Sequence, residues 1–186
     1  MEPSKRSANR PDAPSPCALV RPRVAAMAGY VPGEQPADPQ VIKLNTNENP
    51  YPPAPGVAAA IAEAAANLHL YPEPTARPLR QLVQRMFDVP ADGVVVGNGS
   101  DELLSLLVRT FVDPCERIAF PVPTYSLYRT LAELQGAEAV QVPYGDDFQL
   151  PDALYGVPAK LLLICDPNSP SGTKLSPAVC EALCEA

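Results

Sequence analysis

Residues 94–104 read Val94-Val95-Val96-Gly97-Asn98-Gly99-Ser100-Asp101-Glu102-Leu103-Leu104, an apolar run that breaks on two glycines and opens straight into a helical pattern. Gly97 and Gly99 let the backbone turn tightly and come close to a ligand. Ser100 is placed to cap the helix that Leu103, Leu104, Leu106, Leu107 and Phe111 continue. The free amides of a first helical turn point outward and favour a phosphate or carboxylate. The string is not the dinucleotide fingerprint, because Glu102 stands where the third glycine belongs, and it lacks the lysine of a nucleotide P-loop. Two readings stand side by side: an anion cradle, or an ordinary strand-to-helix turn whose Asp101 and Glu102 complement the helix dipole.

Outward from this turn the pattern alternates. It predicts a strand over 93–96, a helix over 101–111, a strand over 117–120, a helix over 125–134, strands over 139–142 and 160–165, and a last helix from Ser176. Such alternation implies a mostly parallel sheet covered by helices on both faces, with ligands bound beyond the carboxyl ends of the strands. That rule gathers the loops 97–102, 121–125 and 166–172 at one edge. Upstream, alanine-rich sequence predicts a helix over 56–67. Pro78 with Leu79, Leu82, Val83 and Met86 marks a second helix ending near Phe87. Residues 20–55 are crowded with proline and glycine turns and read as an arm, with one short strand over 41–44. Residues 1–19, rich in Pro, Ser and Ala, read as a disordered tail without the apolar segment of a signal peptide.

Composition narrows the function classes. The chain has 186 residues, 46% of them hydrophobic, which is enough to bury a core. A net charge of -7 without a basic cluster argues against nucleic acid. The longest apolar runs, such as 161–165, are far short of the ~20 residues that span a bilayer, which argues against a membrane role. The five cysteines, Cys17, Cys115, Cys165, Cys180 and Cys184, have no regular spacing and read as reduced thiols of a cytoplasmic protein. Cys180 and Cys184 lie one helical turn apart, but no second pair accompanies them and His69 is the only histidine, so no metal site is expected.

Five segments, in this order, resemble the pyridoxal-phosphate-dependent aminotransferases of fold type I, and within them the branch that acts on histidinol phosphate. They are Lys43-Leu44-Asn45-Thr46-Asn47-Glu48-Asn49-Pro50-Tyr51, Leu70-Tyr71-Pro72-Glu73-Pro74, Gly97-Asn98-Gly99-Ser100-Asp101-Glu102, Pro121-Val122-Pro123-Thr124-Tyr125-Ser126-Leu127-Tyr128 and Asp166-Pro167-Asn168-Ser169-Pro170-Ser171-Gly172-Thr173. The resemblance implies an α/β fold in which residues 56–186 form part of the large cofactor-binding domain, preceded by the arm over 20–55. It implies transamination of histidinol phosphate with 2-oxoglutarate or glutamate in histidine biosynthesis, by a cytoplasmic homodimer carrying pyridoxal 5'-phosphate. The substrate class it implies is a small amino-alcohol phosphate or amino acid. A relative with another substrate, a related decarboxylase, and a non-catalytic phosphate-binding module are the alternatives.

Residue by residue, the resemblance assigns the cofactor phosphate to the turn Gly99, Ser100, Asp101 and Glu102, and the face of the pyridine ring to Tyr125. Tyr71 is similar to the tyrosine that reaches the phosphate of the neighbouring subunit. Tyr30, Asn47 and Asn49 are similar to substrate-contacting residues. Relatives commonly carry a second asparagine where Ser169 stands, and it donates to the ring oxygen of the cofactor. Here either Ser169 or Asn168 makes that contact. Ser171 replaces a threonine and keeps the hydroxyl. Lys5, Lys43, Lys160 and Lys174 match none of the family's functional positions. The resemblance therefore places the Schiff-base lysine beyond residue 186, predicts no catalytic residue within the chain, and predicts that the chain by itself is inactive.

Overall fold

The computed structural model describes residues 19–28, 34–38, 40–45, 47–185. Of the expected tail over 1–19 only Leu19 is described; residues 1–18, Cys17 among them, and Tyr30 lie outside the described residues. The chain divides into two compact units, one made of residues 1–28 with 98–186 and the other of 29–97.

The first unit is built on a parallel sheet. Strand β1 (Arg117–Val122) lies between β2 (Glu138–Pro143) and β3 (Leu161–Leu162), in the order β2-β1-β3. Ile118 faces Ala139 on one side and Leu161 on the other, and Ala119 faces Val140 and Leu162. A strand covered on both faces reads as a continuous apolar run, and Ile118, Ala119, Phe120 and Pro121 are all buried. The helices α4 (Ser100–Phe111) and α5 (Leu127–Gln135) cover this strand. From α5, Tyr128, Leu131 and Ala132 enter the core at helical spacing, and from α4 Leu104 and Val108 do so, followed by Val112. Helix α5 stops at Gly136, whose φ of 85° suits glycine and whose amide bonds back to the carbonyl of Ala132 at 3.0 Å. The short helix α1 (Pro22–Ala25) packs on α5, and Arg21 donates from Nη2 to the carbonyl oxygen of Leu134 at 2.9 Å. Helix α6 (Pro177–Glu185) ends the described chain.

The second unit holds α2 (Pro55–Ala65) and α3 (Arg77–Phe87), each opened by a proline in its first turn, where the missing amide proton is no loss. After α3, Arg80 donates from Nε to the carbonyl of Ala91 at 2.7 Å and anchors the 3-10 turn Ala91–Gly93.

The alternation and the parallel pairing match the expectation, but three predicted strands differ. Val94 is extended, at φ -108° and ψ 125°, yet residues 94–97 join no ladder. Residues 41–44 form bends and irregular backbone. Of the stretch 160–165 only Leu161 and Leu162 are laddered, with Lys160 and Leu163 each donating one amide to β1. The reason is common to all three. Apolar, β-branched sequence favours an extended backbone, but a strand exists only where a neighbour offers its amides and carbonyls.

Candidate functional site

The head of α4 follows from one backbone conformation. Gly99 is the N-cap residue, at φ 82° and ψ 174°, a region that essentially only glycine occupies. No side chain caps this turn. Ser100, expected to be the cap, is instead the first helical residue, because the turn is completed one position earlier, at Gly99. Glu102 reaches back to accept the amide proton of Asn98, ahead of the N-cap, and so leaves the amides of the first turn unoccupied. A Cβ built on Gly99 meets nothing within 4 Å, so the backbone there faces open space. The amides of the first turn and the dipole of a twelve-residue helix thus stand open to an anion.

Tyr125 comes to this turn from the loop after β1. The predicted helix over 125–134 begins only at Leu127, which leaves Tyr125 in the loop. Its hydroxyl donates to Asp101 Oδ1 at 2.8 Å. Its ring packs edge-on against Tyr128, with centroids 5.8 Å apart and planes at 90°, and Tyr128 in turn packs edge-on against Phe120. The first turn of α4 and the aromatic ring are therefore held together by side chains 24 positions apart.

The third loop, after β3, meets the same edge through Asn168. Thr124 donates from Oγ1 to Asn168 Oδ1 at 3.0 Å, while Asn168 Nδ2 donates to Ser171 Oγ at 2.9 Å and to the carbonyl of Pro123 at 3.3 Å. Asn168 is buried and Ser169, next to it, is exposed. Within the loop, Asp166 Oδ1 accepts the amide proton of Leu175 at 2.9 Å, and Gly172, at φ 73°, donates its amide to the carbonyl of Asn168 at 2.7 Å. Thr124 and Ser171 were not among the expected site residues. The signal for both is a hydroxyl inside a proline-punctuated loop, which sequence alone reads as turn chemistry.

Two tyrosine phenols are raised in pKa. Burial, reinforced by Cys165 beside it, pushes the Tyr128 phenol up to about 12, and burial likewise raises that of Tyr144. Cys165 donates from Sγ to the carbonyl of Pro167 at 3.3 Å.

Asn47, Asn49 and Tyr71 belong to the unit formed by 29–97. Asn47 takes a left-handed conformation, at φ 53°, which asparagine tolerates better than most residues. Asn49 accepts the amide proton of Tyr51 on Oδ1 at 3.0 Å in a local turn. Tyr71 is fully exposed, at 100%. Among the described residues no group of three or more His, Cys, Asp and Glu side chains is arranged to hold a metal ion, and no helix is long and apolar enough to cross a membrane.

A family model described as aminotransferase class I and II matches residues 39–186. The chain belongs to this family. Two aminotransferases show the extent of the likeness. A protein named histidinol-phosphate aminotransferase 1 from Nostoc sp. is 49% identical over 155 residues, covering 82% of this chain and 44% of that protein. A histidinol-phosphate aminotransferase from Rhodopirellula baltica is 49% identical over 161 residues, covering 84% of this chain and 44% of its own length. The chain thus spans less than half the length of these curated relatives. Among solved structures, the histidinol-phosphate aminotransferase of Sinorhizobium meliloti in complex with pyridoxal-5'-phosphate superposes with a TM-score of 0.69 at 27% identity, covering 75% of this chain and 39% of that one. The α/β fold of parallel strands and covering helices expected of an aminotransferase of fold type I is the fold of this chain.

Proposed function

We propose that this chain contributes the phosphate-cradling part of an enzyme that moves an amino group between histidinol phosphate and the glutamate/2-oxoglutarate pair in histidine biosynthesis, with pyridoxal 5'-phosphate as cofactor. The observation that carries the reading is the uncapped first turn of α4 behind Gly99, with Tyr125 tied to it through Asp101. The relatives at 49% identity support the choice of substrate.

The residues fit the cofactor by their chemistry. The amides of Ser100, Asp101 and Glu102 suit a phosphate dianion, and the open space at Gly99 lets it approach the backbone. The Tyr125 ring suits an electron-poor pyridine face. The Ser169 hydroxyl is a donor for a ring oxygen. When bound, pyridoxal phosphate supplies the electron sink that accepts charge from the amino-bearing carbon of the substrate. The residues of this chain bind and orient. The family resemblance assigns the proton-moving lysine to the protein outside this chain, and Lys5, Lys43, Lys160 and Lys174 match none of the family's functional positions. Tyr71, with its side chain free of the surrounding fold, is assigned to the phosphate of a second copy in a homodimer, and Tyr30, Asn47 and Asn49 to the substrate. The free thiols of Cys115, Cys165, Cys180 and Cys184 accord with the cytoplasm.

The test is kinetic. The whole enzyme carrying this segment, supplied with pyridoxal phosphate and 2-oxoglutarate, is offered histidinol phosphate, an aromatic amino acid and an amino-acid phosphate ester in parallel. A much higher kcat/KM for histidinol phosphate is expected. Preference for the aromatic amino acid, or release of carbon dioxide from the ester, would replace the proposed substrate.

A further inference from the structure

Asn168 is the only buried polar residue among the described residues, 4% exposed, and its side-chain amide is fully committed. An amide nitrogen carries two protons, and both are used, toward Ser171 Oγ and the carbonyl of Pro123. The carbonyl of Pro123 can only accept, so it fixes which end of the amide faces it and leaves Oδ1 for the Thr124 hydroxyl. The Asn168 main chain is committed as well, donating to the carbonyl of Thr173 at 2.8 Å and accepting from Gly172. No donor remains for a ligand.

Position gives this arrangement its consequence. The ladder between β1 and β3 ends with the amide of Leu163 on the carbonyl of Ala119. Beyond it, Asn168 joins 121–125 to 164–173 through two hydrogen bonds, between residues 44 and 45 positions apart. Thr124 is bonded directly to Tyr125 in the chain, and Asn168 directly to Ser169. Any slip at the Thr124–Asn168 contact therefore moves both neighbours at once.

We infer that Asn168 is a positioning residue: it clamps the loop after β3 to the loop after β1, sets the separation of Tyr125 and Ser169, and leaves the exposed Ser169 hydroxyl as the donor to the cofactor ring. The assignment of the ligand rests on the function proposed above; the clamp does not.

The experiment uses the whole enzyme carrying this segment, with Thr124→Val, Thr124→Ser, Asn168→Asp and Ser169→Ala variants. Amide hydrogen exchange is first measured without cofactor. Thr124→Val and Asn168→Asp are expected to raise exchange in 166–173 and in 121–126 together, and Thr124→Ser to restore both loops. Pyridoxal phosphate is then titrated by fluorescence. Thr124→Val weakens its binding about five- to tenfold, the equivalent of one lost hydrogen bond, and Thr124→Ser recovers it. Ser169→Ala weakens binding to a similar extent without changing exchange in the unliganded protein.

Exchange that rises only in the loop carrying the substitution overturns the clamp, and so does a Thr124→Ser variant that behaves like Thr124→Val. Unchanged affinity in Ser169→Ala overturns its assignment as the ring donor. An unmodified enzyme that fails to bind pyridoxal phosphate removes the cofactor reading, while the exchange measurements still decide the clamp.

Discussion

The hydroxyl of Tyr125 donates a 2.8 Å hydrogen bond to a carboxylate oxygen of Asp101, joining the loop after β1 to the first turn of α4. The aromatic ring and the open helix terminus are thereby held as one surface. The bond is charge-assisted, so it is stronger than a neutral pair of the same length, although its exposure to water reduces what it contributes.

Removing the tether is therefore expected to be milder than removing the ring. Tyr125→Phe weakens pyridoxal phosphate binding by about three- to tenfold through the lost hydrogen bond. Tyr125→Ala weakens it further by taking away the stacking face, and Asp101→Asn, which retains Oδ1 as an acceptor, stays near the parent. Equilibrium titration of the whole enzyme measures all three. Equal losses in Tyr125→Phe and Tyr125→Ala would mean that the ring face makes no contact.

Two glycines should respond in opposite directions to the same change. At Gly99 the space is open, so Gly99→Ala meets no clash, only a backbone region closed to side chains, at a cost of about 1–3 kcal/mol. Gly56 lies within α2, with nothing within 4 Å of an added Cβ. There Gly56→Ala stabilises by about 0.4–1 kcal/mol, because it restricts the unfolded chain. Denaturant unfolding of the two variants side by side checks the signs.

Phe120 anchors the central strand, 2% exposed and edge-on to Tyr128 at 5.8 Å. Phe120→Ala leaves a cavity between β1 and α5 and costs about 3–5 kcal/mol. A lowered denaturation midpoint with an unchanged denaturant slope is the expected signature. A loss below about 1 kcal/mol would show that the site collapses around the smaller side chain.

Tyr128 sets a limit at alkaline pH. Its phenol ionises near 12 in the folded protein, because burial disfavours the anion, against about 10 in an unfolded chain. The folded state then holds the proton more tightly than the unfolded state does. The stability this provides is complete below pH 10 and is lost as pH rises from there through 12. Spectrophotometric titration should show the Tyr128 phenol ionising late, with that of Tyr144 also raised, and Tyr128→Phe should remove its share of the fall. A phenol titrating at the ordinary position would sink this.

Some elements are legible in the sequence because their causes are local. The ends of α3 follow from Pro78 and from the spacing of Leu79, Leu82 and Met86, and α4 follows from the glycine turn and the leucines after it. The parallel order of β1 and β2 follows from the helix between them, since a helical crossover returns the chain in the same direction. Val94–Val96 shows the limit. Those residues carry strong strand propensity, yet no neighbouring backbone completes the ladder. Ser100 shows another, because capping turned on the φ of Gly99, one residue earlier.

The sequence by itself determined the alternation of strands and helices, the glycine turn that opens α4, and the gathering of three loops at one edge of a parallel sheet. Periodicity and turn chemistry act over a few residues, so they can be read along the chain. Only the tertiary structure decided that Asp101 holds Tyr125, that Asn168 spends its whole amide on Thr124, Pro123 and Ser171, and that Ser169 beside it stays exposed. Those partners are set by how β1 and β3 lie side by side and where their ladder stops, a packing outcome that no local pattern encodes.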